Sequence, residues 1–275
     1  MIAKIAWGLL LGPFVLYMLV WGHFLLFALS AFAVTAGLTE FYLLLQKKGF
    51  HPITWAGLAL GWLFLIIGWA DPDYSFQGVV TGGVLAMLLI QFIQAQRGIA
   101  KYTVSDLALT LFGSIYIGGL LSYTFALKGI YGDYYSEIFH SDVVVLLPFA
   151  GAWACDGGGL IGGKLFGKNL LCPKISPKKT VEGAVAGVAA CIVCTALLCL
   201  LIDIPLRLSI PLGLLNGIFG LCGDLTESAF KREMEVKDTG TLMRYFGGVL
   251  DRIDSILFTV PVTYYYFSLF VLPAK

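Results

Sequence analysis

Nine stretches of mostly apolar residues, each close to 20 residues long, govern what this chain can fold into. They fall at about 5–21, 23–45, 53–70, 76–95, 104–126, 142–163, 182–202, 208–224 and 253–272. A helix rising 1.5 Å per residue needs roughly 20 residues to cross the ~30 Å hydrocarbon core of a bilayer. Within lipid it also satisfies its own backbone hydrogen bonds. The expected fold class is therefore all-α: a polytopic integral membrane protein with about nine transmembrane helices, forming a single membrane domain over residues 1–275. A mean hydropathy of +0.87 excludes the ordinary soluble classes. The first run lacks a small-residue cleavage site, and further runs follow at once. It reads as a retained helix and not a signal peptide.

The basic residues test this count. With the N terminus in the cytoplasm, all but Lys128, Arg207 and Lys275 of the 18 Lys and Arg fall on the cytoplasmic side. That asymmetry obeys the positive-inside rule and places the C terminus outside. The outer loops are acidic, with Asp71, Asp73, Asp133, Glu137 and Asp142. A missed or invented span would scramble the alternation. The basic cytoplasmic face attracts anionic head groups and nucleotides, although Lys4, Lys47, Lys48, Arg97 and Lys101 need do no more than set topology. Cys191 and Cys194 are spaced CxxC inside an apolar run, with no histidine or second pair nearby. Small apolar packing suits them better than zinc.

Ionisable residues are sparse over 1–130, which reads as scaffold helices. Asp106 opens the fifth run, where a carboxylate serves the helix dipole. Glu40, near the cytoplasmic end of the second run, is a candidate partner for a cytoplasmic site. Residues 142–275 carry the polar chemistry, as catalytic helices with cytoplasmic loops 164–181 and 225–251. Asp156 opens a glycine-rich run through Gly163, which permits either close helix packing or backbone approach to a phosphate. Next comes Ser176-Pro177-Lys178-Lys179-Thr180-Val181-Glu182-Gly183. Ser176 or Thr180 can cap a helix starting near Val181, with Glu182 in its first turn. The same arrangement offers hydroxyls, free amides and two lysines to an anion.

The densest polar segment is Asp224–Asp254, whose 31 residues hold 12 of the chain's 35 charged side chains. Asp224, Asp251 and Asp254 sit at the lips of apolar runs, where an unpaired carboxylate costs a few kcal/mol at bilayer depth. Lys231, Arg232 and Lys237 suit phosphate oxygens. If the eighth helix continues outward, Asp224, Glu227, Ser228 and Lys231 share one face. Gly247-Gly248 then permits a sharp turn into the last helix, which displays Asp251 and Asp254. Those two could simply complement a helix N terminus, but Asp224 lies at the wrong end of its helix for that. Carboxylates that need a cation, beside cations that need an anion, point to metal-assisted phosphoryl or nucleotidyl transfer.

These segments resemble the phosphatidate cytidylyltransferases, also called CDP-diacylglycerol synthases. Ser228, Lys231, Arg232, Lys237, Asp238, Gly240, Leu242, Gly247, Gly248, Asp251, Arg252 and Asp254 fall in register with that family's C-terminal signature. Gly223-Asp224-Leu225 with Glu227-Ser228 looks like its G-D-L-x-E-S, residues 176–183 look like its S-P-K-K-T-x-E-G, and Asp156 with Gly158 and Gly159 looks like its A-D-x-G-A-Y. This chain departs at Arg244-Tyr245-Phe246, where the family usually has Pro-Gly-His, and at Cys155 and Leu160 around Asp156.

The resemblance implies transfer from CTP to phosphatidate in phospholipid biosynthesis, giving CDP-diacylglycerol and pyrophosphate with Mg²⁺ as cofactor. It implies a catalytic set of Asp224, Asp251, Lys231 and Lys237, with the metal on Asp224, Asp251 and Asp254. Substrate would be held by Ser176, Lys178, Lys179, Thr180, Glu182, Ser228, Arg232 and Asp238. The partners implied are CTP, phosphatidate and membrane lipid, in a homodimer with no nucleic acid. The setting is a bacterial inner (cytoplasmic) membrane, with the active site facing the cytoplasm. The alternative is a catalytically silent family member that binds anionic lipid or nucleotide, for which Arg244-Tyr245-Phe246 speaks. A transporter would keep its acids near mid-bilayer, whereas here they gather at one face.

Overall fold

The long apolar runs become helices, and their small residues decide how those helices meet. The computed structural model describes residues 14–19, 23–71, 76–99, 101–132, 138–240 and 247–271. The first run therefore lies largely outside the described residues. The second to fourth form α1 (His23–Lys47), α2 (Thr54–Ala70) and α3 (Phe76–Gln96). The fifth is one continuous rod: α4 (Val104–Gly113) passes through a π-helical turn at Ser114–Gly119 into α5 (Leu120–Gly132). Then follow α6 (Ile138–Phe166), α7 (Val181–Leu200), α8 (Leu206–Glu233) and α9 (Leu250–Tyr266), which ends in a second π-helical segment at Phe267–Val271.

Six segments among the described residues are long and apolar enough to cross a membrane: Phe24–Lys47, Phe76–Gln96, Val104–Gly129, Val144–Phe166, Val181–Leu200 and Leu206–Glu233. Thr54–Ala70 is apolar but shorter. The all-α expectation needs one amendment. Inside the expected loop 164–181 the chain forms an antiparallel hairpin of β1 (Leu170–Cys172) and β2 (Ser176–Thr180), with Leu170 opposite Thr180 and Cys172 opposite Ser176.

Lipid tails are as apolar as leucine, so burial from water does not hold such helices together; close packing and polar contacts do. The glycine-rich run of α6 serves this purpose. A Cβ added at Gly158 would lie 2.5 Å from Ala190 Cβ, and one at Gly162 would strike Ala186, both on α7. Between α8 and α9, Asn216 and Thr263 exchange two hydrogen bonds at 3.0 and 3.1 Å, fully buried. The main apolar core joins α1, α5, α6 and α9 through Leu38, Leu121, Val145 and Leu257. The result gathers α6, α7, α8 and α9 around the segments that carry the acids.

Candidate active site

The hairpin delivers one lysine. Thr180 closes β2 and caps α7, its Oγ1 accepting from the Gly183 N–H at 3.1 Å; of the two caps the sequence allows, Ser176 and Thr180, it is the one used. Val181 N–H donates to Asn169 O at 2.9 Å. Glu182 accepts from Lys168 N–H at 3.0 Å and from Asn169 Nδ2 at 2.7 Å. The Glu182 carboxylate thus locks the hairpin onto α7. Side chains alternate along a strand, so Lys178 is exposed while Lys179 turns inward and pairs with Asp224 on α8.

A close crossing brings the acids together. At Gly223 a Cβ would lie 2.5 Å from the Asp254 carbonyl oxygen, so α8 and α9 meet backbone to backbone one residue before Asp224. Asp156 of α6, Asp224 and Asp254 interact electrostatically with one another, and Asp254 with Glu227. One turn out along α8, Lys231 Nζ lies 2.6 Å from Glu227 Oε2 and 2.8 Å from Asp251 Oδ1. Among the described residues, the second Glu227 oxygen, Oε1, is buried with no hydrogen-bond partner. Sequence reasoning placed Glu227 on this face but did not count it in the site; its G-D-L-x-E-S context was the available signal.

Asp251 also holds a loop. Its Oδ2 accepts from Gly248 N–H at 2.7 Å and Thr239 N–H at 3.1 Å. Ser176 and Ser228 are half-buried; Arg232, Lys237 and Asp238 are exposed. Arg232 Nε donates to Ile175 O at 3.1 Å, tying α8 to the hairpin. Arg244, Tyr245 and Phe246 lie outside the described residues. Near the site's outer edge the Lys48 ammonium, hydrogen-bonded to Glu235 at 2.8 Å, holds that carboxyl below its ordinary value.

Among the described residues no three His, Cys, Asp or Glu side chains form a ready-made metal cage. Lys179 stands on Asp224 and Lys231 on Asp251. A cavity of about 240 Å³ lies beside Lys231, walled by Phe41, Phe112, Phe230 and Met234. That is below the roughly 300–1,000 Å³ of most small-molecule pockets, and its apolar wall suits no nucleotide. The arrangement as a whole sets oriented ammonium groups from the hairpin and α8 against partly uncompensated carboxylates of α6, α8 and α9, which suits phosphate chemistry.

Comparison with known proteins agrees. Residues 2–270 match the model of the cytidylyltransferase family. The phosphatidate cytidylyltransferase of Bacillus subtilis (strain 168) is 33% identical over 222 residues, 78% of each chain. That of Synechocystis sp. (strain ATCC 27184 / PCC 6803 / Kazusa) is 33% identical over 270 residues, 90% of each chain. A third, from Staphylococcus saprophyticus, is 35% identical over 211 residues, 74% of this chain and 75% of its own.

Proposed function

This chain belongs to the cytidylyltransferase family, and on that premise we propose that it transfers the cytidylyl group of CTP to phosphatidate. A phosphate oxygen of the lipid bonds to the α-phosphorus of CTP, the α–β bridging bond breaks, and pyrophosphate leaves with its electron pair. The product is CDP-diacylglycerol. One observation carries the reading: the two lysine–aspartate pairs, Lys179–Asp224 and Lys231–Asp251, converge on the family's signature segments.

The nucleophile is a phosphate monoester whose second pKa is roughly 6, so it is largely ionised near neutral pH and needs no strong base. The difficulty lies in joining two polyanions, and there oriented cations count most. Lys179 reaches in from the hairpin and Lys231 from α8, so phosphates can be held from two sides. Arg232 and Lys237 line the exposed approach from water. The acyl chains remain in the bilayer while the head group meets CTP at the helix ends.

The donor set fits a divalent cation. Among the described residues, Asp156, Asp224, Glu227, Asp251 and Asp254 are offset by Lys179, Lys231 and Arg252, and one Glu227 oxygen has no hydrogen-bond partner. Asp224 and Asp251 would hold Mg²⁺, with Asp254 beside them. Magnesium commonly takes one or two carboxylates and completes its shell with water and substrate phosphates, so no protein cage of three is required. When bound it would neutralise charge on the CTP phosphates and the departing pyrophosphate. With Asp224 and Asp251 holding the cation, Lys179 would be free to meet phosphate oxygens, and Lys231 would keep its contact with Glu227 while doing so.

We further infer nine spans with the N terminus and this site on the cytoplasmic side, where CTP is found. The test is purified protein in detergent with phosphatidate, labelled CTP and Mg²⁺. Label should move into the lipid phase with equimolar pyrophosphate. Binding of either substrate without transfer would establish the silent alternative, which the names of the relatives do not favour.

A further inference from the structure

We propose that Glu40 is a positioning residue for this reaction: from α1, its carboxylate clamps the start of α9 and so sets where Asp251 stands. The inference rests on the transfer reading above. The first amides of a helix have no partner within it, and a Ser, Thr, Asp or Asn usually supplies one. The N-cap of α9 is Val249, which has no side-chain acceptor.

Glu40 takes that role from 209 residues away. Val249 N–H donates to its Oε1 at 3.0 Å and Leu250 N–H to its Oε2 at 2.9 Å. The Thr239 hydroxyl donates to the same Oε2 at 3.3 Å. Glu40 is 7% exposed, so water does not substitute. All these partners are donors, which a carboxylate satisfies and an amide does not. A negative group at a helix N terminus also meets the favourable end of its dipole.

The clamp and the proposed metal ligand share their supports. Thr239 gives its hydroxyl to Glu40 and its N–H to Asp251 at 3.1 Å, while Gly248 N–H goes to Asp251 at 2.7 Å. Gly240 and Gly248 make the approach possible, because a Cβ on either would strike the Glu40 carboxylate. Two segments of the cytoplasmic loop and the first turn of α9 are thereby fixed to a helix from the other half of the chain.

Glu40→Gln keeps the size but sets an amide NH₂ against backbone donors. In the full-length protein in detergent, kcat should fall roughly 10–100-fold, the range seen when a group orienting a metal ligand is removed, with KM for CTP little changed. Amide exchange over 239–251 should quicken without substrate or metal present, while exchange in α7 stays at the wild-type rate. Glu235→Gln, which breaks only an exposed pair with Lys48, should change neither. If Glu40→Gln fails to fold, Gly240→Ala, whose added Cβ would meet the Glu40 side chain, presses on the same contact from the other side and carries the same two expectations. Unchanged kcat, or unchanged exchange over 239–251, overturns the clamp. A loss of thermal stability with wild-type kcat in the folded fraction overturns it too, since Glu40 would then only hold the fold. Absence of transfer by the unaltered protein would sink the functional reading, while the exchange measurement would still judge the clamp.

Discussion

Lys178 and Lys179 are neighbours in sequence and opposites in surroundings, and that difference predicts unequal effects. Strand alternation leaves Lys178 in solvent, whereas Lys179, with a side chain 24% exposed, stands on Asp224. A charge-assisted hydrogen bond contributes about 1.5–3 kcal/mol, or roughly 10–100-fold in affinity. Lys179→Gln should lower kcat/KM for CTP or phosphatidate by that factor, while Lys178→Gln should stay close to wild type; steady-state kinetics on both substrates decides. The sequence alone treated the two lysines as a unit, because nothing local announced that SPKKT would pair as a strand. The aspartates make a second prediction. Asp224→Asn and Asp251→Asn keep shape but lose charge, so turnover should drop steeply and the Mg²⁺ concentration for half-maximal rate should rise. Asp254→Asn should be milder, since an amide oxygen can still accept the Ser255 N–H that Asp254 Oδ1 takes at 2.6 Å. Chelation by EDTA should abolish wild-type transfer, and added Mg²⁺ should restore it.

Among the elements, the α8–α9 crossing at Gly223 decides whether the acids share one space. Gly223→Ala must push the Asp254 backbone away, because the added Cβ would lie 2.5 Å from its carbonyl oxygen and 3.1 Å from Ser255 Cα. Overpacking of this kind costs about 1–3 kcal/mol. A thermal-unfolding midpoint lower than wild type, with kcat reduced further than stability alone explains, is the expected outcome. The helices and the Thr180 cap could be read from sequence because apolar period and capping chemistry are local signals. The hairpin could not: it is short and contains Pro177, and its pairing depends on Glu182 gathering the Lys168 and Asn169 amides. Glu40 showed only as an isolated acid near a helix end. Its partners are more than 190 residues away, and no local pattern encodes such a contact.

At the scale of the whole molecule, three connections meet at one end of the bundle. Lys48, after α1, pairs with Glu235 after α8 at 2.8 Å, and Arg232 reaches Ile175 in the hairpin at 3.1 Å. Residues 48, 175 and 235 therefore share a side, which is the side the positive-inside rule assigns to the cytoplasm. The charge pattern assigns these same loops to one side, although the first span falls mostly outside the described residues. The remaining prediction is that residues 164–181 and 225–251 face the cytoplasm, with the connection at Asp71 outside. Single cysteines at Lys168, Lys237 and Asp71, in a chain whose own cysteines are replaced by serine, would be probed in intact cells with an impermeant maleimide. Asp71→Cys should react at once; Lys168→Cys and Lys237→Cys should react only after the membrane is permeabilised. All three positions lie in connections between helices, so failure to label cannot be ascribed to burial within a span. Ready labelling at 168 or 237 from outside would invert the topology and place the site away from its CTP.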